Sequence, residues 1–382
     1  MTELPDGWQF LTLGDVANWT SGGTPSSKNS DYYDGDIPWV CIGDLNEGSV
    51  LETAKKITKA GLDSSSAKIM PKGTIMLAMY ATSIGDTGMM ETRMATNQAI
   101  ACGVPNPEMI VGKYLLYYLQ SQKHQFFAAG RGGAQPNINQ GIVKAWPIPV
   151  PSLDEQHKIV ELLEDHLSRL DSASADVKQA KIKAAQFRRS YIHEMTTAIE
   201  SSEVMGILDI CDVYQPKTIS TKELISDGEF PVYGANGQIG FYDKFNHEES
   251  EVTVTCRGAT CGTVNVIPAM SWITGNAMVF SPKDGCIQKG FLEYVLRGMD
   301  WTPVITGTAQ PQITRTSIQD VFVNVPSPDT QNDIYMKLES SLTQVTNAAL
   351  LSEKVEMQAA SLRRSLLQAA FTGKLTKEAV SV

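Results

Sequence analysis

Hydrophobic and polar positions follow two rhythms along this chain, and each rhythm occurs twice. Residues 1–150 and 203–326 hold short apolar runs broken by Gly, Pro, Asn and Asp, such as Ile37-Pro-Trp-Val-Cys-Ile42, Thr74-Ile-Met-Leu-Ala-Met79 and Glu251-Val-Thr-Val-Thr-Cys256. Runs of this length between turn formers predict β-strands. One short helical pattern closes each region, Lys113 to Gln120 and Lys289 to Arg297. Beyond Pro147-Ile-Pro-Val-Pro151 and Val325-Pro-Ser-Pro328 the rhythm changes. These prolines hold an extended segment and then let a helix begin. Ile159, Leu163, Leu167, Leu170, Val177, Ala184, Phe187, Tyr191 and Met195 fall at spacings built from three and four, and so do Ile334, Leu338, Leu342, Val345, Ala359, Leu362, Leu366 and Ala370. A sustained seam of this kind needs a partner helix, and two in one chain can supply each other. At ~1.5 Å per residue, about 45 residues make a rod of roughly 65–70 Å.

The two rhythms recur because the chain is duplicated. Ala134, Gln135, Pro136 and Ile138 match Ala309, Gln310, Pro311 and Ile313, each 175 positions later. The same offset pairs Val150-Pro151-Ser152 with Val325-Pro326-Ser327, Asp154 and Gln156 with Asp329 and Gln331, and Phe187-Arg-Arg-Ser190 with Leu362-Arg-Arg-Ser365. A unit this long is a domain-plus-helix module, not a solenoid repeat. The predicted fold class is α/β, more narrowly α+β: two globular domains joined by a long antiparallel two-helix coiled coil with a pseudo-twofold axis. The division is 1–150, first globular domain; 151–202, central helical spacer; 203–326, second globular domain; 327–382, C-terminal helical spacer. A hairpin inside a larger helical domain is the blander reading of the seam.

Composition narrows the function classes. No apolar run reaches the length of a membrane span, and Met1 to Phe10 lacks the basic-then-apolar order of a secretion signal, so the expectation is a cytoplasmic protein away from the membrane. The six cysteines do not sit at equivalent places in the two copies, which argues for reduced thiols. Cys256 and Cys261 lack the spacing of a metal ribbon and read as small core thiols. The net charge of −10 is spread over the chain and leaves no basic stripe, so a DNA-binding role needs a partner to add backbone grip.

Catalytic constellations are missing from the sequence. Gly373-Lys374-Leu375 lacks the upstream glycine and the following Ser or Thr of a phosphate loop. No glycine-rich cofactor fingerprint, Gly-x-Ser-x-Gly elbow or paired histidine at ligand spacing occurs, and His157, His166 and His193 fall on the long helix. The expectation is a non-enzymatic binding module with no metal and no cofactor of its own.

Planar amides, hydroxyls and guanidiniums beside glycine supply the candidate binding surface. Amides can pair bidentately with adenine in the major groove and arginine with guanine. In the first copy the candidates are Lys28, Tyr80, Thr82, Ser83, Asn97, Gln98, Arg131, Gln135, Asn137 and Asn139. In the second they are Lys217, Tyr233, Asn236, Arg257, Thr260, Asn276, Gln310, Gln312, Thr314 and Arg315. Arg257-Gly-Ala-Thr260 is the rough counterpart of Tyr80-Ala-Thr-Ser83, and Asn97-Gln98-Ala99 and Asn276-Ala277 follow Thr96 and Thr274 in similar contexts. Each such residue also has a turn-stabilising reading. Two differing readers on one spacer suit two different half-sites of DNA, with a separation near ~34 Å for one helical turn.

At this point the whole chain resembles a specificity subunit of a type I restriction–modification system. The resemblance rests on Ser21-Gly-Gly-Thr-Pro-Ser26, Gly35-Asp-Ile-Pro-Trp-Val40 and Gly43-Asp-Leu45 in the first copy. In the second it rests on Phe230-Pro-Val-Tyr-Gly-Ala-Asn-Gly237, Gly240-Phe-Tyr-Asp243 and Arg257-Gly-Ala-Thr-Cys-Gly-Thr-Val264. The proline exit into Asp154-Glu-Gln156 completes it. Tyr214-Gln-Pro-Lys217 departs from the Gly-Gly-Thr-Pro opening, and Asp329-Thr-Gln331 from Asp154-Glu-Gln156.

The resemblance implies two target recognition domains reading a bipartite, asymmetric site on double-stranded DNA. It implies assembly with two methyltransferase subunits, which bring S-adenosylmethionine and modify adenine, and allows two restriction subunits that use ATP and Mg. The helices would be the docking site for these partners, which supply much of the DNA clamp. Two rivals stand beside it. One is a nuclease or methyltransferase with an unfamiliar site. The other is a non-catalytic scaffold that grips proteins through two globular domains on a coiled-coil rod.

Overall fold

The protein, in a computed structural model, is described for residues 4–45, 48–131, 136–235, 237–307 and 310–379, the last three without side chains. It forms two compact units, Met1–Ala175 with Val355–Val382, and Asp176–Lys354. Each unit holds one β-rich region and part of both long helices, Leu153–Thr197 and Pro328–Ala370.

In the first unit the main sheet runs Ala17–Ser21, Ile100–Pro105, Ile75–Ala78, Thr87–Met90, Ser49–Val50, antiparallel except for the last pairing. A smaller sheet pairs Tyr33–Val40 with Lys56–Ile57 and, in parallel, with Ala95–Thr96. In the second unit the same order recurs one strand shorter: Cys211–Tyr214, Ala277–Pro282, Glu251–Thr255, Val264–Ile267. Its small sheet pairs Phe230–Gly234 with Gly237–Tyr242 and, in parallel, with Trp272–Ile273. Ile75–Ala78 and Glu251–Thr255 are buried along their whole length, the first as its continuous apolar run predicts for a central strand, the second despite its alternating polar positions.

The proline exits are themselves strands. Pro147–Val150 pairs with Gln9–Thr12, and Phe322–Pro326 with Ser202–Gly206, both antiparallel. Each then delivers a serine to the start of a long helix. Ser152 Oγ accepts from Glu155 N, and Ser327 Oγ from Thr330 N, both at 3.3 Å. These hydroxyls satisfy a donor that has no partner within the helix.

One buried amide locks each helix to its own β-rich region. Gln156 Oε1 accepts from Val111 N at 2.8 Å, and its Nε2 donates to the carbonyls of Met109 and Pro151, each at 3.0 Å. Gln331 repeats the device: Oε1 accepts from Gln288 N at 2.8 Å and Nε2 donates to Pro326 O at 2.9 Å. The matching glutamines of the two copies thus do matching work.

The helical seam is right in period and displaced in detail. Ile159, Leu163, Leu167 and, partly, Leu170 enter the first core with Leu366, Leu367, Ala370 and Phe371. Arg363 meets Asp171 at 2.8 Å while Thr376 donates to Glu155 at 3.1 Å, so the two segments run antiparallel in this unit. Ile334, Leu338 and Leu342 enter the second core with Tyr191 and Ile192. Val177 and Val345 are half-buried. Phe187 and Leu362, expected in the seam, are 54% and 49% exposed. Their successors Arg188 and Arg363 are half-buried in their place. A long aliphatic stem can line a seam while its charged head reaches the edge. Both copies make the same one-residue shift. Gly373, quoted above as no phosphate loop, adopts a left-handed φ of 70° in the turn after the second helix, where an added Cβ would meet the ring of Pro5 at 2.2 Å.

One buried carboxyl gives a pH prediction. Glu251 is 8% exposed and its Oε2 has no hydrogen-bond partner. Burial pushes its pKa up, with Lys289 pulling the other way. A raised folded-state pKa means that the group's contribution is fully present below the ordinary carboxylate range and is lost as pH rises through the folded value. The ionised carboxylate therefore costs stability at neutral pH. Glu251→Gln is expected to be more stable than the parent by about 1 kcal/mol near neutrality, the gap closing in acid. Thermal unfolding at the two pH values checks this, and a gap independent of pH would refute it.

Candidate nucleic-acid interface

Each unit ends its central strand in the same backbone frame. In the first, Ile138 N donates to Met79 O at 2.9 Å, Ala81 N to Pro136 O at 2.8 Å, and Arg131 and Asn137 exchange bonds at 3.0 and 2.9 Å. In the second, Ile313 N donates to Cys256 O at 3.0 Å, Gly258 N to Pro311 O at 3.0 Å, and Thr306 and Gln312 exchange bonds at 2.8 Å each. Ala81 and Gly258 both take left-handed φ, 56° and 90°. Tyr80 thus stands where Arg257 stands, Asn137 where Gln312 stands, and Arg131 where Thr306 stands.

This frame fixes the register between the two copies. From strand to turn the copies are related by 177 positions (Tyr80 to Arg257), and from the loop onward by 175 (Asn137 to Gln312). Met79 N bonds Ala99 O, while Cys256 N bonds Asn276 O, so Asn276 corresponds to Ala99 and not to Asn97. The counterpart of Asn97 is Thr274, whose N–H meets Tyr233 O as that of Asn97 meets Val40 O. The two positions are lost between the short helices and the loop, where the first copy has the helix Lys123–Ala129 and the second the turn Thr302–Val304.

The structure gathers the second unit's candidates more tightly. Arg257, Gln312, Thr314 and Arg315 line one cavity of about 280 Å³ together with Tyr214 and Gln215. Tyr214 is fixed from behind: its hydroxyl lies 3.0 Å from His247 Nε2, and the two rings stack at 6.0 Å. Burial pushes the His247 pKa down, favouring the neutral ring, and the Tyr214 pKa up. Gln215 Nε2 donates to Cys256 Sγ at 3.1 Å. The candidate residues chosen from sequence omitted Tyr214, Gln215 and His247. The available signal was Tyr214-Gln-Pro-Lys217, at the end of an alternating strand.

In the first unit Tyr80, Arg131 and Asn137 share the rim by backbone bridges, all three exposed, with Thr82 and Ser83 in the turn Ala81–Ser83 beside it. Several other candidates are engaged in local structure. Asn139 Oδ1 caps the helix Gln140–Lys144 by accepting from Ile142 N at 3.0 Å, and Thr314 Oγ1 accepts from Ser317 N at 3.1 Å at the equivalent place. Asn97 Oδ1 accepts from Ala99 N at 3.1 Å, and Gln98 Oε1 accepts the Thr24 hydroxyl. Lys28, Lys217, Thr260, Asn276 and Gln310 are exposed, whereas Tyr233 is half-buried in its strand. Gln135 and Asn236 lie outside the described residues.

Among the described residues no group of three or more His, Cys, Asp or Glu side chains is placed to hold a metal ion, and no helix is long and apolar enough to cross a membrane. Cys256 is buried and Cys261 half-buried, and burial raises both thiol pKa values.

The family model described as the type I restriction modification DNA specificity domain matches residues 5–183 and again residues 199–357. Among curated relatives, the specificity subunit of the type I restriction enzyme EcoR124I/EcoR124II of Escherichia coli is 24% identical over 52% of this chain. The match covers 50% of that relative, so the chain spans about half its length. The MjaIX specificity subunit of Methanocaldococcus jannaschii is 30% identical over 42% of this chain and 38% of its own length. The MjaVIII specificity subunit of the same organism is 18% identical over 97% of this chain and 94% of its own. A chain from a structure on complex assembly and conformational transition of the type I R-M system matches 97% of this chain and 99% of its own, with TM-score 0.80 and 19% identity. The HsdS subunit from Thermoanaerobacter tengcongensis covers 97% of this chain and 98% of its own, with TM-score 0.55 and 18% identity. At these identities the likeness is one of fold.

Proposed function

The chain belongs to the type I restriction modification DNA specificity domain family, whose model it matches twice, and we propose that it is the DNA-recognition subunit of such a system. It reads a bipartite, asymmetric site on double-stranded DNA. It has no catalytic role of its own. Two methyltransferase subunits dock on its helices, bring S-adenosylmethionine and modify adenine within the site. Two restriction subunits, where present, add ATP- and Mg-dependent cleavage. The complex works on cytoplasmic DNA.

The observation that carries this reading is one backbone frame presenting two different chemistries. Tyr80, Asn137 and Arg131 occupy in one unit the positions of Arg257, Gln312 and Thr306 in the other. A frame kept while its exposed side chains diverge suits recognition of two different sequences. Base edges carry the sequence information and phosphates the grip. With a net charge of −10, the grip falls mainly to the partners.

Mapping N6-methyladenine in cells with and without this chain, its neighbouring methyltransferase present in both, tests the proposal. A bipartite methylated motif that vanishes on deletion is expected. Full methylation at an unchanged motif without the chain would sink it. That result would favour the protein-scaffold reading, which the acidic balance and the exposed Leu350, Leu351 and Met357 on the second long helix support.

A further inference from the structure

The second unit's cavity that gathers the sequence candidates carries two guanidiniums. Arg257 and Arg315 both line it, and no carboxylate does. Among the described residues neither guanidinium forms an ion pair, so both keep their donors available to a ligand. In a chain of net charge −10, carboxylate partners are abundant. Two guanidiniums with no carboxylate beside them can serve an acceptor-rich ligand, and the backbone beneath Arg257 decides which kind.

Backbone anchoring distinguishes Arg257 from an ordinary surface cation. Its neighbours on both sides are tied into the same ladder, Cys256 O to Ile313 N and Gly258 N to Pro311 O, each at 3.0 Å. The bridge to Gln312 fixes its own Cα. A rigid base under a planar fork gives directional recognition, whereas a phosphate contact needs only a charge on a flexible arm. The neighbouring wall is also fixed, because Tyr214 is held by His247 and Gln215 by Cys256.

The duplicated frame supplies the control. Tyr80 stands at the position of Arg257 and Asn137 at that of Gln312, and Gln140 is the sequence counterpart of Arg315. The first unit presents an aromatic ring and amides at the three places where the second presents two guanidiniums and an amide. The frames match while the side chains they carry differ in chemistry.

Resting on the function proposed above, we infer that Arg257 reads a guanine in the half-site recognised by the second unit, donating two N–H groups to its O6 and N7 in the major groove. The guanidinium fork matches that pair of acceptors, and no other base presents them together on its major-groove edge. Tyr80 reads no guanine at the corresponding place of the other half-site.

The test uses the complex of this chain with its methyltransferase. Methylated motifs are mapped for the parent, Arg257→Ala and Arg257→Gln. The parent motif is expected to contain a guanine in one half-site that becomes degenerate in Arg257→Ala, with every other position kept. Arg257→Gln is expected to shift that position toward adenine, because a planar amide pairs with adenine N6 and N7. Binding of the purified complex to duplexes changed at that guanine is the second measurement. Arg257→Ala should weaken the parental duplex by roughly 5- to 150-fold and leave the substituted duplexes nearly equal to it. Three results would overturn the inference: a parent motif with no guanine that responds, an unchanged motif in both variants, or a uniform loss across all duplexes with a salt slope lowered by about 1, which marks a phosphate contact. Each leaves the recognition role standing, provided that the parent motif still depends on the chain. Methylation that persists in the absence of the chain would instead remove the recognition role itself.

Discussion

Gln156→Ala is expected to destabilise the first unit by about 3–5 kcal/mol, and Gln331→Ala the second by about 2–4 kcal/mol. Both side chains are buried. Gln156 bonds one backbone N–H and two carbonyls; Gln331 bonds one N–H and one carbonyl. Truncation leaves these groups unpaired away from water, and each orphan costs about 1–3 kcal/mol. The bonds of Gln156 also join the start of a long helix to Met109 and Val111, forty-five or so positions back, which local structure cannot replace. Denaturant titration with hydrogen exchange at the Val111 and Gln288 amides measures both effects. Equal losses in the two variants would show that hydrogen-bond count does not set the cost. Unchanged exchange at Val111 in Gln156→Ala would show that this amide does not depend on the side chain.

These glutamines also show what the sequence could and could not disclose. Their equivalence is visible as Asp154/Gln156 against Asp329/Gln331, yet their partners are not, because the bonds reach back to loops with no local pattern. The β-rich regions, the short helices at Gly112–Ser121 and Lys289–Gly298, and both long helices were legible, since each has a strong period and clear punctuation. The similar contexts of Asn97 and Asn276 did not disclose their register. Asn97 and Asn276 lie 179 positions apart, whereas the backbone around them is related by 177, so matching amides by type puts them out of register. The cavity was half legible. Arg257, Gln312, Thr314 and Arg315 stood out as polar groups beside turn formers, but Tyr214 and Gln215 reach it from a strand whose contacts are long-range.

The seam was misread because hydrophobicity ranks phenylalanine and leucine above arginine, whereas geometry ranks only position. That error yields a sharp contrast. Phe371→Ala is expected to destabilise the first unit by about 3–5 kcal/mol, and Leu362→Ala by under about 1 kcal/mol. Phe371 is 6% exposed and meets the edges of two rings, Tyr114 at 5.1 Å and Tyr118 at 5.2 Å. Those tyrosines are themselves anchored, Tyr114 by donating its hydroxyl to Pro149 O at 2.8 Å and Tyr118 by donating to Pro147 O. Removing Phe371 therefore opens a cavity whose walls cannot collapse, the condition under which truncation costs most. Leu362 is half exposed, and Arg363 holds the seam position beside it through Asp171. The second unit has no matching plug: the residue equivalent to Phe371 is Thr196, buried, with its hydroxyl bonded to Ile192 O at 2.8 Å. The duplication thus preserves the helix seam but not its closing contact, and the two units are predicted to lose their helices at different denaturant concentrations in Phe371→Ala. Hydrogen exchange resolved along the two long helices reads this directly. Comparable loss of protection in Leu362→Ala and Phe371→Ala would return the seam to Leu362 and refute the one-residue shift.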